Sequence, residues 1–287
     1  MNVTDSAGRW LLMHRPRREA RVRLLCLPYA GGGASAFRHW PDALTSSIEV
    51  CPVQLPGREN RFVEAPFTRA EAVVEAMAPA LRPVLDRPYA LFGHSMGALL
   101  GFELIRHLRR RGDPLPVQFF VSAARAPQLP RPGAPIHALP ETAFVERLRG
   151  LQGTPEGILQ DKELLQFVLP ALRADFTVVE TYRYTPGERL DCPLSAFGGR
   201  SDGAVSFAEL AGWSDQARRD FRLQMLPGNH FFLHDPAARQ TLTQTIERQL
   251  APYLAHRTPF PTIVAGTPAT AVADSAATRH LVAEPAW

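Results

Sequence analysis

The stretch Gly93-His94-Ser95-Met96-Gly97 sets a serine between two glycines. A serine hydroxyl becomes a useful nucleophile only when a base removes its proton and backbone donors hold the oxyanion that forms. The pattern G-x-S-x-G serves that chemistry where the serine occupies a sharp turn from strand into helix. There the glycines admit neighbouring backbone, and the helix N-terminus favours developing negative charge. The flanks match this requirement: the apolar run YALF (89–92) precedes the turn, and ALLGFELIRHL (98–108) follows with helical periodicity. The pentapeptide alone is weak, because a glycine-flanked turn with an inert serine has the same letters. With strand and helix around it, the signal is specific.

Such a serine needs a base and an acid. The expected order along the chain is serine, then Asp or Glu after a later strand, then His after the last strand. His230, in Pro227-Gly228-Asn229-His230-Phe231-Phe232, directly follows the last strand-like run and is the candidate base. His234 competes but lies four residues on, where the final helix should begin. Asp202, in Gly198-Gly199-Arg200-Ser201-Asp202-Gly203, follows the preceding strand and is the candidate acid. Asp191 lies at that strand's opposite end, and Asp215 and Asp220 read as solvated. The two oxyanion donors are expected at the N–H of Met96 and, from the loop Tyr29-Ala30-Gly31-Gly32-Gly33, the N–H of Ala30, with Gly31 as the fallback. A phosphate cradle is the rival reading of that loop, but it lacks both the G-x-G-x-x-G spacing and the G-K-[ST] ending. Tyr29, Gly31, His94 and Phe231 are the expected substrate-contacting residues, with His94 read as packing or site-lining.

These residues need a frame to bring them together. Residues 21–27, 48–54, 89–92 and 117–123 read as strands, with helical patterns after the glycine loop, where Ser35 is the expected N-cap, and over 69–85 and 98–108. Alternation of this kind predicts a parallel sheet with helices on both faces. The pattern breaks over 125–190, where Pro-rich sequence leads into helical stretches at 141–151 and 161–184, with Pro170 as a kink or a new helix start. That segment reads as a helical insertion. Alternation resumes with strands at 193–197 and 221–226 and helices at 206–218 and 236–254. The expected division is an N-terminal extension at 1–20, a core at 21–124 and 191–254, the insertion at 125–190, and a disordered tail at 255–287.

The remaining composition narrows the class. The chain has 287 residues, 45% apolar and 21% charged, which suits one large globular domain or two small ones. No apolar run of about 18 residues exists, and five arginines in residues 1–21 lack a following apolar stretch. A membrane span and a secretory signal are therefore not expected, and the cytoplasm is. The three cysteines are too few and scattered for a disulfide framework or a zinc site. The net charge of +4 comes from arginine, since Lys162 is the only lysine, and no nucleic-acid-binding motif accompanies it. The cluster Arg106, Arg109, Arg110 and Arg111 reads as a solvated helix end or as a docking patch for an acidic partner.

From about residue 9 to 254 the sequence resembles the type II thioesterases that accompany polyketide and nonribosomal peptide synthetases, members of the α/β-hydrolase superfamily. The resemblance rests on Leu27-Pro28-Tyr29-Ala30-Gly31-Gly32, Gln54-Leu55-Pro56-Gly57-Arg58-Glu59, Gly93-His94-Ser95-Met96-Gly97-Ala98, Pro227-Gly228-Asn229-His230-Phe231-Phe232 and, inside the insertion, Leu169-Pro170-Ala171-Leu172-Arg173-Ala174-Asp175-Phe176. It implies hydrolysis of stalled or wrongly primed acyl thioesters on the phosphopantetheine arm of acyl or peptidyl carrier proteins. It implies no metal and no diffusible cofactor, since phosphopantetheine arrives on the partner. A monomer is expected. The insertion would be a lid, with Leu164, Leu165, Phe167, Val168, Leu172, Phe176 and Val179 either lining an acyl pocket or packing the lid on the sheet. A carboxylesterase, lipase or acyltransferase working on a free ester is the alternative, and a catalytically inactive carrier-binding protein a more distant one.

Overall fold

The computed structural model describes residues 8–255. The expected disordered tail therefore lies outside the described residues, apart from residue 255. Six strands form one sheet: β1 (Val22–Leu27), β2 (Ile48–Pro52), β3 (Tyr89–His94), β4 (Gln118–Ser122), β5 (Leu194–Gly199) and β6 (Phe221–Leu226). Their order is β2-β1-β3-β4-β5-β6, and every neighbouring pair is parallel, so the sheet is wholly rather than mostly parallel.

A parallel sheet is covered on both faces, and its strands are accordingly apolar on both sides. Along β1, Val22, Leu24 and Cys26 enter one core while Leu25 and Leu27 enter the other. Along β3, Ala90 and Phe92 face the first core and Tyr89 and Leu91 the second. The first is closed by α1 (Trp40–Ala43) and α8 (Pro236–Ala255), which contribute Trp40, Leu242, Ile246 and Leu250. The second is closed by α2 (Ala70–Leu81), α3 (Met96–Arg111) and the short α7 (Phe207–Ala211), with Trp213 filling the space beside Phe102 and Phe119.

The insertion carries α4 (Glu141–Leu151), α5 (Glu156–Gln160) and α6 (Lys162–Thr181). Asp161 caps α6 by accepting from the Glu163 and Leu164 N–H groups, and the helix runs through Pro170 without restarting. The insertion has an apolar core of its own, in which Ile136, Phe144, Leu148, Leu159, Leu165, Leu169 and Leu172 meet.

Two expectations are corrected. Gly33, not Ser35, precedes the first helical turn at Ala34–Phe37, because the Ser35 hydroxyl is taken by Glu59 Oε1 at 2.5 Å. The described part of the N-terminal extension is not separate from the core: Leu11 bridges Val53, the Leu12 N–H donates to the Pro52 carbonyl, and Trp10 is buried.

Candidate active site

The strand order reverses at β1, whose two neighbours are β2 and β3. Parallel α/β sheets leave a crevice at the carboxyl ends of the strands where such a reversal occurs. The glycine loop leaves β1 and the serine turn leaves β3 at this rim, side by side, because Leu27 pairs with Gly93.

Ser95 stands at the N-cap of α3 with φ 53° and ψ −113°, an uncommon conformation for a residue with a side chain. Its N–H still donates to the Ser122 carbonyl at 2.8 Å, so the turn is held by β4 as well as by the helix. The flanking glycines are required by close approach. A Cβ on Gly97 would drive into the Leu27 carbonyl, and one on Gly93 into the Gly97 carbonyl. Met96 is the first residue of α3, so its N–H has no acceptor within the helix.

Asp202 follows β5, and its side chain is sealed from solvent. One carboxylate oxygen, Oδ1, accepts from the N–H groups of Ala204 at 2.7 Å and Val205 at 3.1 Å. The other, Oδ2, lies 2.8 Å from His230 Nδ1. A carboxylate can only accept, so His230 Nδ1 carries the proton and donates it, which leaves Nε2 as the basic nitrogen. Ser95, Met96, Ala30 and His230 all border one cavity of about 400 Å³ between the sheet rim and the insertion. A nucleophile, an oriented imidazole and two candidate oxyanion donors thus share one partly enclosed space.

The loop carrying His230 is fastened from below. The His94 ring is fully buried and uses both nitrogens: Nε2 donates to the His230 carbonyl at 2.9 Å, so Nδ1 accepts from the Ser122 hydroxyl at 2.8 Å. Burial, then the neighbouring His230 and His234 rings, hold its pKa well below the ordinary histidine value, so it stays neutral. His94 therefore does not line the cavity as expected. It sits beneath it.

Of the other expected contact residues, Tyr29 and Phe231 do border the cavity, with ring centroids 5.1 Å apart. Burial, then Glu59, pushes the Tyr29 phenol up to about 12, and its oxygen meets His234 Nε2 at 2.8 Å. The rival histidine is thereby occupied by Tyr29. Gly31 does not border the cavity; its N–H donates to Asp175 Oδ2 at 2.7 Å, which removes it as the fallback oxyanion donor. Of the apolar residues proposed for the acyl pocket, Leu172, Phe176 and Val179 border the cavity. Leu165 and Val168 pack within the insertion, and Leu164 and Phe167 face outward.

Sequence reading missed much of the cavity wall, including Leu99, the segment 123–131, Leu148, Leu151 and Val205. The segment 123–131 follows β4 directly, and its place at the strand's carboxyl end was the available signal. The basic cluster divides: Arg106 pairs with Glu103 and Arg109 with Asp191 and Glu188, whereas Arg110 and Arg111 are exposed at the helix end, Arg111 within 3.7 Å of Asp113.

A parallel sheet flanked by helices, a serine elbow after β3, an acid after β5 and a histidine after β6 define an α/β-hydrolase fold. Residues 22–250 match the thioesterase domain family, and the chain belongs to that family of thioester hydrolases. It is 45% identical over 235 residues to the gramicidin S biosynthesis protein GrsT of Aneurinibacillus migulanus, covering 82% of this chain and 92% of that one. Among solved structures, it is similar to the RedJ thioesterase of the prodiginine pathway in Streptomyces coelicolor, with 42% identity, TM-score 0.76, and 82% and 88% of the two chains covered. It is also similar to the type II thioesterase BorB of the borrelidin biosynthetic cluster, with 38% identity, TM-score 0.76, and 85% and 97% covered. No helix among the described residues is long and apolar enough to cross a membrane.

Proposed function

We propose that this protein is a stand-alone editing thioesterase of a polyketide or nonribosomal peptide assembly line, which hydrolyses stalled or aberrant acyl groups from the phosphopantetheine arm of carrier proteins. The observation that carries this reading is the Asp202–His230 hydrogen bond of 2.8 Å on the same cavity as the strained Ser95 elbow. Kinship with GrsT, RedJ and BorB supports the biosynthetic setting.

In the first half-reaction, His230 Nε2 takes the Ser95 hydroxyl proton as Oγ attacks the thioester carbonyl. The oxyanion is held by the N–H groups of Met96 and Ala30. The C–S bond breaks, the departing sulfur takes the proton from His230, and an acyl-Ser95 ester remains. In the second, His230 deprotonates a water, which attacks that ester, and the proton returns to Ser95 as the free acid leaves. Asp202 keeps the imidazole in the required tautomer and stabilises its cation throughout. The cycle needs neither metal nor diffusible cofactor. One chain supplies every group, consistent with a monomer.

The test is hydrolysis of an acyl group from a phosphopantetheinylated carrier protein, followed by mass spectrometry of the carrier. The wild type should release the acyl group, and Ser95→Ala should lower the rate by about 10⁶-fold, to the residual that the oxyanion hole and binding sustain. A wild type that leaves the carrier loaded while cleaving simple oxygen esters efficiently would make the protein a carboxylesterase instead.

A further inference from the structure

Two sequence stretches with no assigned chemistry converge on the glycine loop beside the cavity. Arg58, from the turn after β2, and Asp175, from α6, form a buried two-pronged ion pair, with Nη2 to Oδ1 at 2.8 Å and Nη1 to Oδ2. The same Asp175 Oδ2 accepts the Gly31 N–H at 2.7 Å, and the same Arg58 Nη1 donates to the Gly32 carbonyl at 3.2 Å. Arg58 Nε is tied to the Pro56 carbonyl at 3.2 Å, and the Arg58 carbonyl accepts from Gln54 Nε2 at 3.1 Å. Gln54 Oε1 in turn accepts the Ala34 N–H at 2.9 Å. The glycine loop is therefore gripped at residues 31, 32 and 34 by groups outside it. Gly31 itself has φ +79°.

We propose that Arg58 and Asp175 are positioning residues that hold the loop 29–33 so that the Ala30 N–H faces the acyl carbonyl, and that they tie this geometry to the lid helix α6. The inference rests on the thioesterase reading above. Three consecutive glycines give the loop no rigidity of its own, and a donor misplaced by about 1 Å costs on the order of 10²-fold in rate. Capture of the Gly31 N–H by Asp175 leaves Ala30 as the loop's donor to the cavity. A buried ion pair adds little net stability over apolar side chains of similar size, so its presence here is better explained by orientation than by folding energy. Because Asp175 belongs to α6, lifting that part of the lid also frees Gly31, and the oxyanion hole is complete only with the lid helix seated.

The experiment compares Asp175→Asn and the paired variant Arg58→Leu/Asp175→Leu with the wild type, on an acyl-N-acetylcysteamine thioester. Rates are counted per Ser95 labelled by a fluorophosphonate, so that only folded sites contribute. The Asn variant turns an N–H₂ toward the guanidinium and breaks the pairing while keeping the size. Its kcat should fall between about 10- and 100-fold with KM within twofold, and binding of a boronic acid that mimics the tetrahedral adduct should weaken in parallel. The paired variant should regain the wild-type thermal midpoint, yet its kcat should remain low. A kcat per labelled serine within twofold of the wild type in either variant overturns the proposal. A wild type inactive on the thioester would instead overturn the thioesterase reading beneath it.

Discussion

The cavity is built by two regions that are held together in different ways. On the sheet rim, each side chain of the proposed triad is held by its neighbours: Ser95 by β4, Asp202 by two N–H groups of its own loop, and His230 by the His94 ring below. The lid has an apolar core of its own and enters the second sheet core at Ala126 and at Val178 of α6. It is also joined to the rest of the molecule by polar ties that include Asp175 to Arg58, the Tyr182 hydroxyl to Glu103 at 2.7 Å, Gln128 to the Gly212 carbonyl at 2.7 Å, and Gln152 to the Asn229 side chain at 3.3 Å. Rigid geometry is thus concentrated where bonds are made and broken. Under the proposed function the lid must admit an acyl arm, and opening is expected in the part built on its own core, residues 136–172, rather than at Val178, which the sheet core holds.

The sharpest way to break this contrast is to perturb the rim without touching packing. In Asp202→Asn, the amide oxygen can still accept from Ala204 and Val205, but the N–H₂ faces His230 Nδ1 and forces the proton onto Nε2. That tautomer cannot take the serine proton. We expect kcat to fall about 10⁴-fold with the thermal midpoint nearly unchanged. A loss below tenfold would mean that the Asp202–His230 hydrogen bond does not orient the base.

Matched deletions in the two regions come next in size. Phe92 lies in the sheet core and Phe144 in the lid core, both fully buried. Replacing either with Ala should cost about 3–5 kcal/mol in its own cooperative unit. The consequence should differ: Phe92→Ala lowers the global unfolding midpoint, whereas Phe144→Ala accelerates amide exchange over 136–181 with little change in sheet protection. Equal loss of protection in the sheet for both variants would show that lid and sheet unfold as one.

The same division separates what is legible in the amino-acid sequence from what is not. The strands are legible because a sheet buried on both faces leaves short apolar runs, and the Ser95 turn because Gly93 and Gly97 mark a close backbone approach. Asp202 and His230 are legible as a pair because each follows a strand whose carboxyl end must reach the same rim. Arg58 and Asp175 carry no such local mark. They lie 117 residues apart, and only the folded lid makes them neighbours. For the same reason, the spacing of apolar residues along α6 does not sort them. Leu172 and Phe176 point to the cavity and Phe167 to solvent, a choice made by what surrounds the helix. His94 misleads because a residue next to a nucleophile suggests contact with substrate, whereas its position on the opposite side of the strand sends it beneath the site.

That buried histidine yields a pH test confined to the rim. In the unfolded chain, His94 titrates near about 6.5, while in the fold burial keeps it neutral to well below that value. Below about pH 6.5 the unfolded state therefore binds a proton that the folded state refuses, and stability falls as the pH drops; above it, the contribution is fully present. His107 and His234, also depressed chiefly by burial, act in the same direction. Denaturant titrations from pH 8 to 5 should show a shallower decline for His94→Gln than for the wild type. An identical slope would mean that the ring is protonated in the fold, and that the tether to His230 is not the one described.

The smallest expected effect probes the outer surface of the lid. Phe167 is 65% exposed and its ring meets that of the similarly exposed Phe62, with centroids 6.5 Å apart, across the junction between lid and core. An aromatic pair this open to water retains most of its hydration, so Phe167→Ala should change stability by less than about 0.5 kcal/mol. Turnover of a small soluble thioester should also stay at the wild-type level, because the ring does not border the cavity. Denaturant titration and steady-state rates check both. A loss above about 1 kcal/mol would make the Phe62–Phe167 contact a further apolar tie between lid and core, beside that of Val178. The lid would then be less free to move than its separate apolar core implies, and substrate entry would have to proceed by widening the cavity mouth rather than by lifting α6.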